Sequence, residues 1–221
     1  MEKCNYRKDP HQDIDHVFRD LLPAHGMVER PAQVELSHQM LDTMLNGSIA
    51  LCDAGTGIGK TYAYLVAGVV FRRYRSRAGL PNQPLLISTS SIALQGAIIH
   101  DYLPFLSKVM MADGMLDSPL RAVLRKGKSH YVCDARLMKR LQTANLDRKN
   151  PLAKAALLSM RDHLDLDMAP HLSGYDRERI CVPPTCDCGK TECRYLCYLD
   201  VCASERYAIQ VCNHNLLLAD A

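Results

Sequence analysis

The sequence predicts an α/β fold, a parallel sheet with helices on both faces, interrupted by a helical, cysteine-rich insertion. Three observations carry this reading. Short apolar runs alternate with longer segments of helical spacing, one such run leads into a glycine-rich turn that ends in Lys-Thr, and most of the cysteines crowd toward the carboxyl end. At 221 residues the chain can bury a substantial core. A composition of 48% hydrophobic and 23% charged residues is ordinary globular usage. No apolar run reaches the length needed to cross a bilayer. The amino terminus, MEKCNYRKDPHQDID, lacks the apolar stretch of a secretory signal. The expected setting is therefore cytoplasmic, with no membrane partner.

In chain order, HVFRDLL and VELSHQMLDTML place apolar residues at three and four spacing and read as helices, with Pro23 and Pro31 breaking them apart. Ser48 to Cys52 (SIALC) reads as a strand, and TYAYLVAGVVFRRY after the glycine turn as a buried helix. LLIST is the next strand, Ser91 to Met110 the next helix with a serine cap, and a short strand is expected near Val123 and Leu124. From about Lys126 the texture changes to two helical stretches, ARLMKRLQTA and PLAKAALLSMRDHLDL, and then a segment rich in cysteine and proline. YAIQVCNHNLLLAD returns to a buried-strand pattern. The expected division is thus 1–125 core, 126–202 insertion, and 203–221 return to the core.

The turn Asp53-Ala54-Gly55-Thr56-Gly57-Ile58-Gly59-Lys60-Thr61 fits the phosphate-loop template, with Ala54 in place of the first glycine. Gly55, Gly57 and Gly59 let the backbone curl so that N–H groups face phosphate oxygens, and the following helix turns its positive end to the same anion. Lys60 would meet the β and γ phosphates, and Thr61 would hold the bridging Mg²⁺. An unliganded strand-to-helix turn is the bland alternative, but alternating glycines followed by Lys-Thr argue against it.

DAGTGIGKT resembles the first helicase motif of superfamily 2, and above all that of the DinG/XPD-like iron–sulfur DNA helicases. Glu29-Arg30-Pro31-Ala32-Gln33 resembles that family's adenine-reading element, which implies that Gln33 selects ATP, since an amide both donates and accepts. Ile87-Ser88-Thr89-Ser90-Ser91 resembles the next motif, which implies that Ser88, Thr89 and Ser90 grip the phosphates of a DNA strand. Taken alone, STSS is a strand end with a helix cap. The resemblance implies a RecA-like motor domain.

Of the ten cysteines, Cys52 and Cys212 sit among apolar residues and read as core. Cys133 stands alone, and Cys181, Cys186, Cys188, Cys193, Cys197 and Cys202 crowd into one polar stretch. A reducing compartment makes disulfides a poor explanation. Thiolates holding zinc or an iron–sulfur cluster fit better, and spacing alone does not choose between them. KGKSHYVC and CGKTECRYLCYL resemble the family's cluster-ligand segments, which implies a 4Fe-4S cluster on Cys133, Cys188, Cys193 and Cys197, with Cys186 and Cys202 as alternates.

The net charge of +3 does not by itself point to nucleic acid. Locally, Arg121, Arg125, Lys126, Lys128, Arg136, Lys139 and Arg140 face only Asp134 within their stretch, and they read either as backbone contacts or as a solvated face. Arg125, Lys126 and Lys128 are the expected DNA contacts. The tail, Val211 to Asp220, resembles the segment before the family's acidic box, with His214 structural. The chain then ends without that box, so the expectation is an amino-terminal fragment whose second motor domain lies elsewhere in the same or a split chain.

The resemblance implies an ATP-dependent helicase on single-stranded or forked DNA, cytoplasmic and nucleoid-associated. The alternatives are a P-loop nucleic-acid-binding module stabilised by zinc or a cluster and lacking motor activity, and a P-loop kinase or transferase. The ordered run of Gln33, phosphate loop, STSS and NHN weighs against the first. The want of an evident substrate lid weighs against the second.

Overall fold

The computed structural model describes residues 9–143, 151–186 and 193–220. Its elements are α1 (Pro10–His16), α2 (Leu22–Ala24), α3 (Pro31–Leu45), α4 (Lys60–Arg77), β1 (Leu85–Ser88), α5 (Ile92–Ala97), α6 (Leu103–Ala112) and β2 (Ala122–Leu124). They continue through α7 (Asp134–Thr143), α8 (Pro151–Ser159), α9 (Gly174–Ile180), α10 (Arg194–Ala203), β3 (Ile209–Cys212) and α11 (His214–Asp220). Two compact units result, Met1–Leu124 with Glu205–His214, and Arg125–Ser204 with Asn215–Ala221.

In the first unit the strands form a parallel sheet in the order β1-β3-β2. β3 is central and buried throughout. Ile209 lies opposite Leu85 on one side and Ala122 on the other, and Val211 opposite Ile87 and Leu124. Ile209 and Val211 share one face of β3, Gln210 and Cys212 the other, and both faces are buried, as a parallel sheet covered on both sides requires. Helix α4 supplies Leu65, Val66, Val69 and Val70 to the core. It packs tightly against β1 because position 68 is glycine. A Cβ there would come within 2.3 Å of a Leu85 methyl.

Pro23 and Pro31 separate the first helices as expected, the helix that holds Pro23 ending one residue later at Ala24. Pro23 follows a π turn over Val17–Leu21, and Pro104 follows another over Ile98–Tyr102. Each proline removes the N–H that would bond four residues back, and a widened turn accommodates that loss. Pro31 behaves differently, opening α3 in the first turn where no N–H is needed. Ser91 caps α5, its hydroxyl accepting from the Leu94 N–H at 3.2 Å.

The expected strand at Ser48–Cys52 is not formed. Ile49 and Leu51 are fully exposed. No described strand pairs with this segment, and an extended chain without a ladder is not a strand. For the same reason Cys52, expected in the core, is exposed, whereas Cys212 on β3 is buried.

The second unit holds α7, α8, α9 and α10. Residues 131–133 run between two other segments. The Val132 N–H donates to the Leu164 carbonyl at 2.9 Å, and the Cys133 N–H to that of Ile180 at 2.8 Å. Among the described residues, no helix is long and apolar enough to cross a membrane.

Candidate functional site

Helix α4 begins at Lys60, and the residue before it, Gly59, takes φ +87° with Gly57 at +83°. Left-handed backbone at these positions needs glycine. At Gly59 the space needs it too, because a Cβ would lie 2.1 Å from the Gln33 amide nitrogen. That amide donates to the Gly59 carbonyl at 2.6 Å, and Gln33 is only 4% exposed. Arg30 donates to the Gly57 carbonyl. Ser37 donates to the Ala63 carbonyl at 3.0 Å. The start of α3 therefore braces the loop and the first turn of α4 from one side. Sequence reasoning assigned no role to Arg30 or Ser37, although Arg30 lies within the element that pointed to Gln33.

The Lys60 ammonium folds back over the loop, donating to the carbonyls of Ala54 at 2.9 Å and Gly55 at 2.8 Å. Thr56 is exposed, and Ala54, Ile58 and Thr61 are partly buried around the turn. Loop N–H groups, an ammonium and the first turn of a long helix form an anion-binding arrangement.

Ser88 ends β1 and shares a 2.8 Å hydrogen bond with the His214 Nδ1 just past β3. The Thr89 N–H donates to the Cys212 carbonyl at 3.0 Å, and the Gln95 side chain donates to the Thr89 carbonyl at 2.8 Å. Ser90 is exposed beyond them. The STSS segment thus sits at the carboxyl ends of adjacent parallel strands, the edge where open α/β sheets take their ligands. A cavity of about 640 Å³ lies beside it, lined by Ala50, Cys52, Tyr64, Ser88, Thr89 and His214 among others.

In the second unit, Cys133 is buried in an apolar cluster with Tyr131, Val182 and Tyr195, against which Cys193 and Tyr198 pack. Asp134 and Arg194, each next in sequence to one of these cysteines, form a forked ion pair with contacts of 2.5, 2.9 and 3.1 Å. Cys197 follows one turn into α10, its N–H donating to the Cys193 carbonyl at 3.0 Å. Cys202 is buried farther along α10, and burial pushes its thiol up. Cys186 is exposed, and the Cys181 Sγ donates to the Glu178 carbonyl at 3.4 Å. Cys188 lies outside the described residues. Among the described residues no three His, Cys, Asp or Glu side chains converge as a metal site, and no disulfide forms. Asp134 and Arg194 carried no sequence signal beyond standing beside cysteines.

Much of the basic run is spent internally. Lys126 donates to Asp165 at 2.6 Å and Asp167 at 2.7 Å. Burial opposes its charge, yet those two hydrogen bonds outweigh burial and raise its pKa. Asp167 shows the mirror effect. Burial alone would raise it, but Lys126, Arg177 and His130 hold it well below the usual carboxylate range. Arg140 donates to Asp176 at 2.6 Å, and Arg136 to the Cys181 carbonyl at 3.1 Å. Lys128 is exposed, reaching the Pro184 carbonyl at 3.4 Å, and Arg125 is partly buried.

No family model matches the chain. It is, however, 30% identical over 144 residues to the 3'-5' exonuclease DinG of Bacillus subtilis, covering 65% of this chain and 14% of that protein. It is 30% identical over 129 residues to the ATP-dependent DNA helicase YoaA of Haemophilus influenzae, covering 58% of this chain and 18% of that protein. Over more than half of its length the chain is thus similar to DinG-like helicases. A further relative, the ATP-dependent DNA helicase DinG of Photobacterium profundum, is 35% identical over 85 residues, covering 38% of this chain and 10% of that protein. The matched part of this chain spans less than a fifth of the length of these DinG-like relatives.

Proposed function

We propose that this chain supplies the ATP-binding and DNA-contacting elements of an ATP-dependent DNA helicase. The observation that carries the reading is the phosphate loop, with glycines at 57 and 59 in left-handed backbone, Lys60 folded onto the loop, and Gln33 bracing Gly59. On nucleotide binding, Lys60 exchanges the Ala54 and Gly55 carbonyls for the β and γ phosphates, and the Thr61 hydroxyl joins Mg²⁺. Gln33 keeps its second amide hydrogen and its carbonyl oxygen for an adenine edge. Movement of Lys60 off the loop carbonyls gives nucleotide binding a direct route into the Gln33–Gly59 contact.

Ser88, Thr89 and Ser90 offer hydroxyl and backbone groups to a single-stranded DNA backbone, and Arg125, Lys126 and Lys128 add positive charge. Of these three cations Lys126 is the least available, being held by two carboxylates. Cys133, Cys193 and Cys197, with Cys188, would hold a 4Fe-4S cluster. The thiolate donor set suits it, and the Asp134–Arg194 pair joins the residues beside two of its members. Bound there, the cluster would crosslink α7 to α10, a structural role.

Titration with Mg²⁺ and ATP tests the core of the proposal. Lys60→Ala should weaken binding roughly ten- to a hundredfold, as expected for losing a charged hydrogen-bond partner of phosphate. Unchanged affinity in the variant contradicts the phosphate-loop role.

A further inference from the structure

At the end of α4 remote from the phosphate loop lies a cavity of about 460 Å³. Its lining on α4 runs from Val69 to Arg77, so it begins ~14 Å along the helix from Lys60 at the helical rise of 1.5 Å per residue. Its lining includes Arg72, Arg73, Arg77, Arg121 and Arg206, with the carboxylates of Asp117 and Glu205.

The fold accounts for some of this charge and leaves the rest. Arg73 and Arg77 both donate to the buried carboxylate of Asp13, at 2.7 and 3.2 Å, and Arg73 also donates to the Met115 carbonyl. They complement the negative end of α4 as well. Arg72 donates to the Gln83 carbonyl and is partly buried, with burial lowering its pKa and Glu205 opposing that effect. Arg121 and Arg206 are exposed at the mouth, and neither makes an ion pair with a described residue. A second observation points the same way. The side-chain oxygen of Asn82, on the cavity wall, is buried without a hydrogen-bond partner among the described residues. Turning that amide about its axis presents its N–H₂ group at the same place. The lining also includes the buried apolar residues Val69, Met115 and Ala208.

We propose that this cavity is a second anion site, separate from the phosphate loop, for a compact free molecule carrying two or more phosphate groups. Guanidinium forks match phosphate oxygens in pairs, and several forks lining one cavity match more than one phosphate. The volume lies in the range of small-molecule pockets, far above the ~30 Å³ share of a single water. The apolar lining residues would take the uncharged part of the ligand.

Calorimetric titration of pyrophosphate into the Lys60→Ala protein, at low salt, reads this site with the phosphate loop disabled. Binding is expected there and should be clearly tighter than that of inorganic phosphate. Adding Arg121→Gln and Arg206→Gln should weaken it about tenfold per arginine. The urea midpoint should stay unchanged, because both side chains are exposed. Absence of pyrophosphate binding in Lys60→Ala protein overturns the proposal. So does equal affinity for phosphate and pyrophosphate, or indifference to the arginine changes. Displacement of pyrophosphate by a thymidine oligonucleotide would assign the site to a nucleic-acid backbone and also overturn it. Because Lys60 is absent throughout, none of these outcomes bears on the nucleotide reading of the phosphate loop.

Discussion

The unit that carries the phosphate loop buries one continuous apolar cluster, from Ile14 and Phe18 through Leu65 and Val70 to Ile209 and Val211. The cysteine-bearing unit divides its apolar interior into two smaller clusters and is stitched by ion pairs, Lys126 to Asp165 and Asp167, Arg140 to Asp176, and Arg194 to Asp134. Apolar burial is the dominant favourable term in folding, while partly exposed ion pairs contribute on the order of 0–1 kcal/mol each. The first unit therefore has the means to hold its shape unaided. The second depends more on whatever its thiolates bind, because the binding energy of such a site is also folding energy.

The largest effect should come from the first unit's core. Phe18→Ala should destabilise that unit by roughly 3–5 kcal/mol and lower its nucleotide affinity, while hydrogen-exchange protection of residues 125–204 persists. Loss of protection in both units together would break the comparison.

Gly59→Ala should act next, through strain confined to the loop. A left-handed non-glycine residue costs on the order of 1–3 kcal/mol, and the added methyl also meets the Gln33 amide. ATP affinity should fall about tenfold or more in a binding titration. Gln33→Ala in the same chain relieves the collision and should recover part of the stability, read as the urea midpoint, without restoring ATP affinity, because it also removes the proposed adenine contact.

A smaller effect is expected from Asp134→Asn. Its ion pair with Arg194 is about one-third exposed on each side, so the stability change should be about 1 kcal/mol. The sharper readout is metal content per chain after anaerobic preparation, which should fall if the pair holds the segments of Cys133 and Cys193 together. Full metal retention would show that the pair does no such positioning.

The sequence was most legible where chemistry and local backbone coincide. Glycines at 57 and 59 announced the loop because few other residues take that φ readily, and Ser91 announced its helix by capping it. Strands β1, β2 and β3 were visible as short apolar runs. The same rule misplaced Ser48–Cys52, because strand formation depends on a neighbour that composition does not reveal. Pro23 and Pro104 each follow a π turn, a local widening of the helix that residue type alone does not specify. Around the cysteines, residue types pointed to thiolate chemistry. The partners that organise them, Asp134, Arg194 and the tyrosines at 131, 195 and 198, act across long sequence separations. The basic run illustrates the same loss, because Asp165, Asp167 and Asp176 neutralise it from positions 36 to 41 residues away.

The central claim is the division of labour between a self-supporting phosphate-loop unit and a second unit held by its thiolate ligands. Hydrogen exchange on anaerobically prepared protein, with and without Cys133→Ser, tests it most directly, together with assay of iron and acid-labile sulfide. The parent protein should be brown and hold iron and sulfide in equal amounts. The variant should lose both, and residues 125–204 should lose protection while residues 9–124 keep theirs. Stoichiometric zinc without iron, or protection in 125–204 indifferent to Cys133→Ser, would contradict it.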